Sequence, residues 1–169
     1  MVADLLTQIY DVSRAAVADM DLDRFLGVIT LAMRDSLVAD DVVVLMREEE
    51  AAWGVAWPPA EDVARRETHA ALATAAQREL NASREPFVLS KTALAAHPHV
   101  ASALYCPLYG QGAWQMAMVA LRLTPRDPFS SFDVRHATVF TGFAAPAVKY
   151  ARLFEHMIRR WKDLDAAHP

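Results

Sequence analysis

Six histidines and one cysteine are the residues of this 169-residue chain best suited to metal or nucleophilic chemistry, and their spacing supports little of either. His97-Pro98-His99 sets two imidazoles two residues apart, and in an extended segment both point to one side and could hold a metal. A metal needs a third ligand that no spacing supplies, so no metal site is expected and the plainer reading is a polar loop ahead of a strand. His69, His136 and His156 fall on expected helix surfaces, where water would satisfy them. Cys106 has no partner, which excludes an internal disulfide or a cysteine-based zinc site; just before Pro107 on an apolar strand it reads as a buried, inert thiol. Ser90, Ser102, Ser130 and Ser131 stand in no nucleophile-elbow context, and Gly110-Gln111-Gly112 lacks the following helix that a phosphate loop needs. No catalytic residue is assigned.

Binding is better supported than catalysis. Trp53, Trp57, Tyr105, Met116 and Met118 fall on expected strands, where aromatic and thioether side chains can line a site for a flat apolar ligand or simply fill a core. With His97 and His99 they form the candidate pocket set.

The elements that would position them follow from periodicity. Leu5, Ile9, Val12 and Ala16, then Leu22, Phe25, Leu26, Ile29, Ala32 and Met33, repeat at helical spacing, giving two helices or one broken helix to about residue 38. Asp41–Arg47 is β-branched and Ala51–Trp57 alternates, so the pair reads as a hairpin with Glu48-Glu49-Glu50 at its tip. A helix is expected over Glu61–Leu80, a short edge strand over Pro86–Ser90, and strands over Leu104–Tyr109 and Trp114–Leu123 joined by the glycine turn. From Asp133 onward the chain reads as helix, with Pro146 expected to kink or break it. This order fits an α+β fold, a largely antiparallel sheet with helices gathered on one face.

Three stretches carry a family resemblance. Leu22–Arg47 runs from a helix through Ala39-Asp40-Asp41 into an apolar strand; Ser102–Leu123 runs Ser-Ala-Leu-Tyr-Cys-Pro-Leu-Tyr-Gly-Gln-Gly into another; Phe129–Phe154 opens Phe-Ser-Ser-Phe-Asp and reaches Lys149-Tyr150-Ala151-Arg152-Leu153-Phe154. Together they resemble the GAF domain, a small-molecule sensor fold of bacterial signalling proteins. The resemblance implies a central antiparallel sheet of five or six strands, with the N- and C-terminal helices packed on one face and a ligand pocket under loops on the other. It implies one GAF-like domain over 1–169, with 1–20 and 150–169 as helical extensions. The sequence departs from the family pattern at Gln115-Met116-Ala117, which replaces an early glycine of the central strand, at Lys149, and at Pro146.

The resemblance also frames the function. Some single-domain GAF proteins reduce free methionine sulfoxide with two thiols, and one cysteine argues against that chemistry here; motifs for bilin attachment at Cys106 are missing. His97 or His99 could serve as an axial haem ligand, as in some GAF sensors, which makes a haem-binding gas or redox sensor one alternative. A degenerate GAF fold acting only as an interaction scaffold is another. Neither residues nor resemblance identify a cofactor. Phe140, Ala144, Ala147, Ala151, Phe154, Ile158 and Trp161 form an a/d seam, of which Phe154, Ile158 and Trp161 should extend past the domain body and pair in a homodimer. The leading expectation is a non-enzymatic regulatory module, binding a small ligand or partner protein and signalling through dimerising terminal helices to an output protein on another chain.

Composition sets the outer limits. With 54% apolar residues and a net charge of −4, the chain can bury a core and has no general attraction for nucleic acid; no apolar run reaches the length of a membrane span. A cytoplasmic protein is expected. Residues 1–62 hold 13 of the 21 acids and 4 of the 17 bases, so an acidic first part faces a basic remainder, as if end helices paired.

Overall fold

The computed structural model describes residues 22–48, 52–108 and 114–167. The expected helix over 1–20, the hairpin tip at 49–50 and the glycine turn at 110–112 lie outside the described residues.

Helix α1, Leu22–Leu37, buries Phe25, Leu26, Ile29, Met33 and Leu37, the apolar side chains three and four apart in the sequence. It closes at Val38, whose φ of 50° is left-handed. Ala39 N donates to Arg34 O (2.9 Å) and Val38 N to Asp35 O (3.4 Å), the paired closure for which glycine is the usual residue.

Strands β1 (Asp41–Glu48), β2 (Gly54–Trp57), β3 (Phe87–Val88), β4 (Val100–Leu108) and β5 (Trp114–Leu123) form one sheet in the order β2-β1-β5-β4-β3, each neighbouring pair antiparallel. The expected strands are all present, but β4 starts at Val100 rather than Leu104. Val100 pairs with Leu123 and Ser102 with Arg122, so a ready partner draws residues of modest strand preference into the ladder. Conversely β3 keeps only two residues, at the sheet edge as expected behind Pro86.

The period of two along each strand gives the sheet two apolar faces. Val42, Val44, Cys106, Met116 and Met118 face α1 and helix α3, Ser131–Ala166. Val43, Leu45, Ala103, Tyr105 and Val119 face helix α2, Val63–Ala82. The first and last described helices therefore share a face, as expected, whereas α2 covers the opposite one instead of joining them. Ala73 and Ala76, fully buried, let α2 lie close to the sheet.

Helix α3 opens with a reciprocal cap: Ser130 N donates to Asp133 Oδ2 (2.7 Å) and Asp133 N to Ser130 Oγ (3.3 Å). It then runs unbroken for 36 residues through Pro146, correcting the expected break. Phe140, Ala144 and Val148 are buried on both sides of the proline, so packing holds the helix across one lost hydrogen bond. The predicted a/d seam is thus, over Phe140–Ala151, largely the seam against the chain's own core, with Ala147 and Ala151 partly buried.

Candidate functional site

The sheet divides the residues expected to line one pocket. Met116 and Met118 are buried toward α1 and α3, while Trp53 and Tyr105 are buried toward α2. Tyr105 donates its hydroxyl to Leu72 O (3.0 Å) and stacks on Phe87 with centroids 5.2 Å apart; Trp53 Nε1 donates to Asn81 Oδ1 (2.9 Å). Burial pushes the Tyr105 phenol well above its usual range, with the Glu79 charge adding to the effect. These two side chains anchor α2 and β3 to the sheet. Trp57 sits at the β2 edge, half-buried, its ring beside Gly27 of α1, where an added Cβ would meet it at 3.5 Å, and under the Arg65 guanidinium at 4.9 Å. His97 is half-buried and His99 exposed on the loop before β4, their rings edge-on with centroids 6.2 Å apart. Among the described residues no group of three or more His, Cys, Asp or Glu side chains is placed to hold a metal.

Cys106 is fully buried, and burial alone drives its thiol far above the ordinary value, so the reactive thiolate is suppressed. The histidines expected on helix surfaces diverge. His156 is exposed, His136 hydrogen-bonds Ser36 across α1 and α3, and His69 is 2% exposed. His69 Nε2 lies 2.8 Å from Asp41 Oδ2, while Arg65 donates Nε to both carboxylate oxygens of Asp41 (3.0 and 2.9 Å) and Nη2 to Val42 O (3.1 Å). Burial alone would raise the Asp41 pKa; the hydrogen bonds and charges of His69 and Arg65 outweigh it and hold the carboxyl at about 2. These three side chains tie the start of β1 to α2. His69, Leu72, Ala73, Ala76 and Leu80 share one helical face, the signal by which the burial of His69 could have been read.

Among the described residues an open concavity lies elsewhere. A cleft of about 420 Å³ is floored by Leu26, Met46 and Met116 and bounded by Val55 and Ala56 of β2. Arg66 of α2 forms one wall, and Arg152, Glu155, His156 and Arg159 of α3 another, with Leu22 and Asp23 at the mouth. Arg66 donates to the carbonyl oxygens of Val55 (2.8 Å) and Pro58. Arg152 Nη1 lies 2.6 Å from Met46 Sδ, and Arg159 pairs with Glu155 at 3.0 Å. Of the candidate pocket set only Met116 reaches this cleft. The other lining residues escape sequence reading because they come from five elements far apart in the chain, and an arginine on a helix carries no sign of what it will face.

No protein-family model and no curated protein matches the chain. Solved structures do resemble it. The GAF domain of a phosphoenolpyruvate-protein phosphotransferase from Coxiella burnetii superposes over 88% of this chain and 95% of its own, at 14% identity and a TM-score of 0.56. The phycoerythrobilin-bound GAF domain of a cyanobacterial phytochrome covers 88% and 97%, at 14% identity and 0.58. The VqsR LBD domain of Pseudomonas aeruginosa covers 86% and 97%, at 13% identity and 0.62. The chain has a GAF-like fold, an α+β domain built on a five-stranded antiparallel sheet.

Proposed function

We propose that this chain is a non-enzymatic regulatory module, a homodimer joined along α3, that binds a small ligand and passes its state to an output protein. The observation that carries the reading is the outer face of α3. Phe132, Val139, Pro146 and Leu153 follow one another at intervals of seven, as do Phe143, Tyr150, Met157 and Leu164 four residues from them, and all are exposed. Such interleaved ladders are the pattern of a helix meeting a second helix. Tyr150, Met157 and Trp161 are 70%, 60% and 77% exposed, a large apolar surface for a lone chain. A standard interface takes about 800 Å² from each partner, and large side chains of about 150–250 Å² each bring the stripe to that order. A helix of 36 residues also spans roughly 54 Å, against about 34 Å for a ten-residue strand, so its end outruns the sheet.

The outer stripe differs from the inner seam to which Phe140 and Ala144 belong. Of the three residues expected to pair beyond the body, Trp161 flanks the stripe, Ile158 is half-buried, and the Phe154 side chain lies outside the described residues. The suppressed thiol of Cys106 supports a role without nucleophilic chemistry. A second reading, an interaction scaffold without a ligand, draws support from the packing of Trp53 and Tyr105 beneath α2.

The test is sedimentation equilibrium of the full chain and of Leu153→Glu. A concentration-dependent dimer that Leu153→Glu weakens by about tenfold or more is expected, because a charge replaces an apolar contact at the centre of the stripe. A monomer at all accessible concentrations would remove the reading.

A further inference from the structure

We propose that residues 9–20, which lie outside the described residues, dock as an amphipathic helix on the end of α3 beyond the sheet, antiparallel to it and within the same chain. The docking goes beyond the regulatory reading and holds with or without the dimer.

The surface to be covered is the continuation of the inner seam. Phe140, Ala144, Ala147 and Ala151 pack on α1 and the sheet. The same run of threes and fours continues through Phe154, Ile158 and Trp161. Around the last two lies a groove of about 370 Å³, lined among the described residues by Met157, Ile158, Trp161, Lys162 and Asp165. All five belong to α3, and a single helix is convex, so a packed groove here needs a second wall. Ile158 lies about 100° round the helix from Met157 of the outer stripe, and an occupant of the groove therefore leaves most of that stripe free.

The path of the chain selects the occupant. Ser36 of α1 hydrogen-bonds His136, while Leu22 and Asp23 share a cleft with Arg152, Glu155, His156 and Arg159. Helix α1 thus runs antiparallel to α3 and begins beside residues 152–159, so the chain just before Leu22 arrives at the level of the groove. As a helix, residues 9–20 span about 17 Å, and α3 from His156 to Ala166 spans about 15 Å. Tethered through Asp21 alone, this segment is present at an effective concentration of about millimolar, which favours it over a second copy.

Side chains of the segment match the groove. Ile9, Val12, Ala16 and Met20 recur at intervals of three and four, giving one apolar face. With Leu22 level with His156 and equal rise along both helices, Ala16 comes level with Trp161 and Lys162, where a small side chain admits a large one. Asp19 comes level with Arg159 and Arg160, and Arg14 with Asp163 and Asp165. Opposite charges meet at both levels, and such pairs fix register more than they add stability.

The test is hydrogen exchange of the full chain, read by mass spectrometry. Backbone amides of 156–166 should be protected, and Val12→Glu should speed their exchange by about tenfold or more while β4 and β5 keep the protection of the parent. Leu153→Glu should leave 156–166 protected; loss of protection there would assign it to the dimer and overturn the proposal. A second measurement uses paired cysteines, since the native Cys106 is fully buried. A short bismaleimide should join Ala16→Cys to Lys162→Cys within one chain, and should not join Ala16→Cys to Arg135→Cys near the other end of α3. The proposal fails if 156–166 exchange as fast in the parent as in Val12→Glu, if the first cysteine pair joins no better than the second, or if it joins only between two chains.

Discussion

Asp41 stands between Arg65 and His69, and its pKa of about 2 against an ordinary 3.8 makes it a stability group. A carboxyl whose pKa is lowered on folding stabilises the fold fully above the unfolded value, and that contribution is lost as pH falls toward the folded one. The shift corresponds to about 2 kcal/mol, present above about pH 4 and fading toward pH 2. Asp41→Asn should lose about that much at pH 7 in urea denaturation, and the gap to the parent should narrow steadily below pH 4; a gap constant with pH would refute the ionic account. Val38 offers the opposite change. Its left-handed backbone costs a β-branched side chain roughly 1–2 kcal/mol, and at 60% exposure the side chain buries little in return. Val38→Gly should raise stability by about 1 kcal/mol, read as a higher denaturation midpoint. The inertness of Cys106 was legible from its apolar strand. The partners of Asp41 were not, because they lie 24 and 28 residues away on a helix whose direction of approach local sequence does not encode.

The elements themselves were largely legible, since α1 carries a helical period and β1 and β5 are short, continuous apolar runs of the kind a sheet buried on both faces requires. Pro146 is the instructive case. Local preference predicts a kink or a break; the helix is not broken, because its N-terminal cap and core contacts on both sides of the proline hold one helix across it. The proline nitrogen has no hydrogen to offer the Gly142 carbonyl, and both residues are exposed, so water can take that role. Pro146→Ala restores the donor and should raise stability by about 1–3 kcal/mol with increased helical circular dichroism. A loss of stability would refute that account.

At the scale of the molecule, the sheet with apolar residues on both faces decides where a ligand could enter. The α2 face is taken up by Trp53, Tyr105 and Leu72, whereas the opposite face opens at its edge beside the arginines of α3. The same helix lines that cleft and presents the outer stripe, so Leu153→Glu, placed on the stripe, tests the proposed dimer without touching the cleft. Among the described residues no helix is long and apolar enough to cross a membrane. The expected pairing of acidic and basic end helices involves residues 1–20, outside the described residues; within them, opposite charges meet at Asp41–Arg65, Asp40–Arg126 and Arg122–Asp133, which join helices and loops to the sheet.

The sequence by itself determined the α+β order, the antiparallel strands, the edge position of the proline-led strand and the burial of Cys106. Each of these follows from periodicity or backbone chemistry over a few neighbouring residues. Only the tertiary structure decided that α2 crosses to the far face, that the pocket candidates part across the sheet, that His69 is buried against Asp41, and that Arg152 of α3 reaches Met46 of β1. Those outcomes depend on which face of one element meets another, and faces are set by packing among residues far apart in the chain.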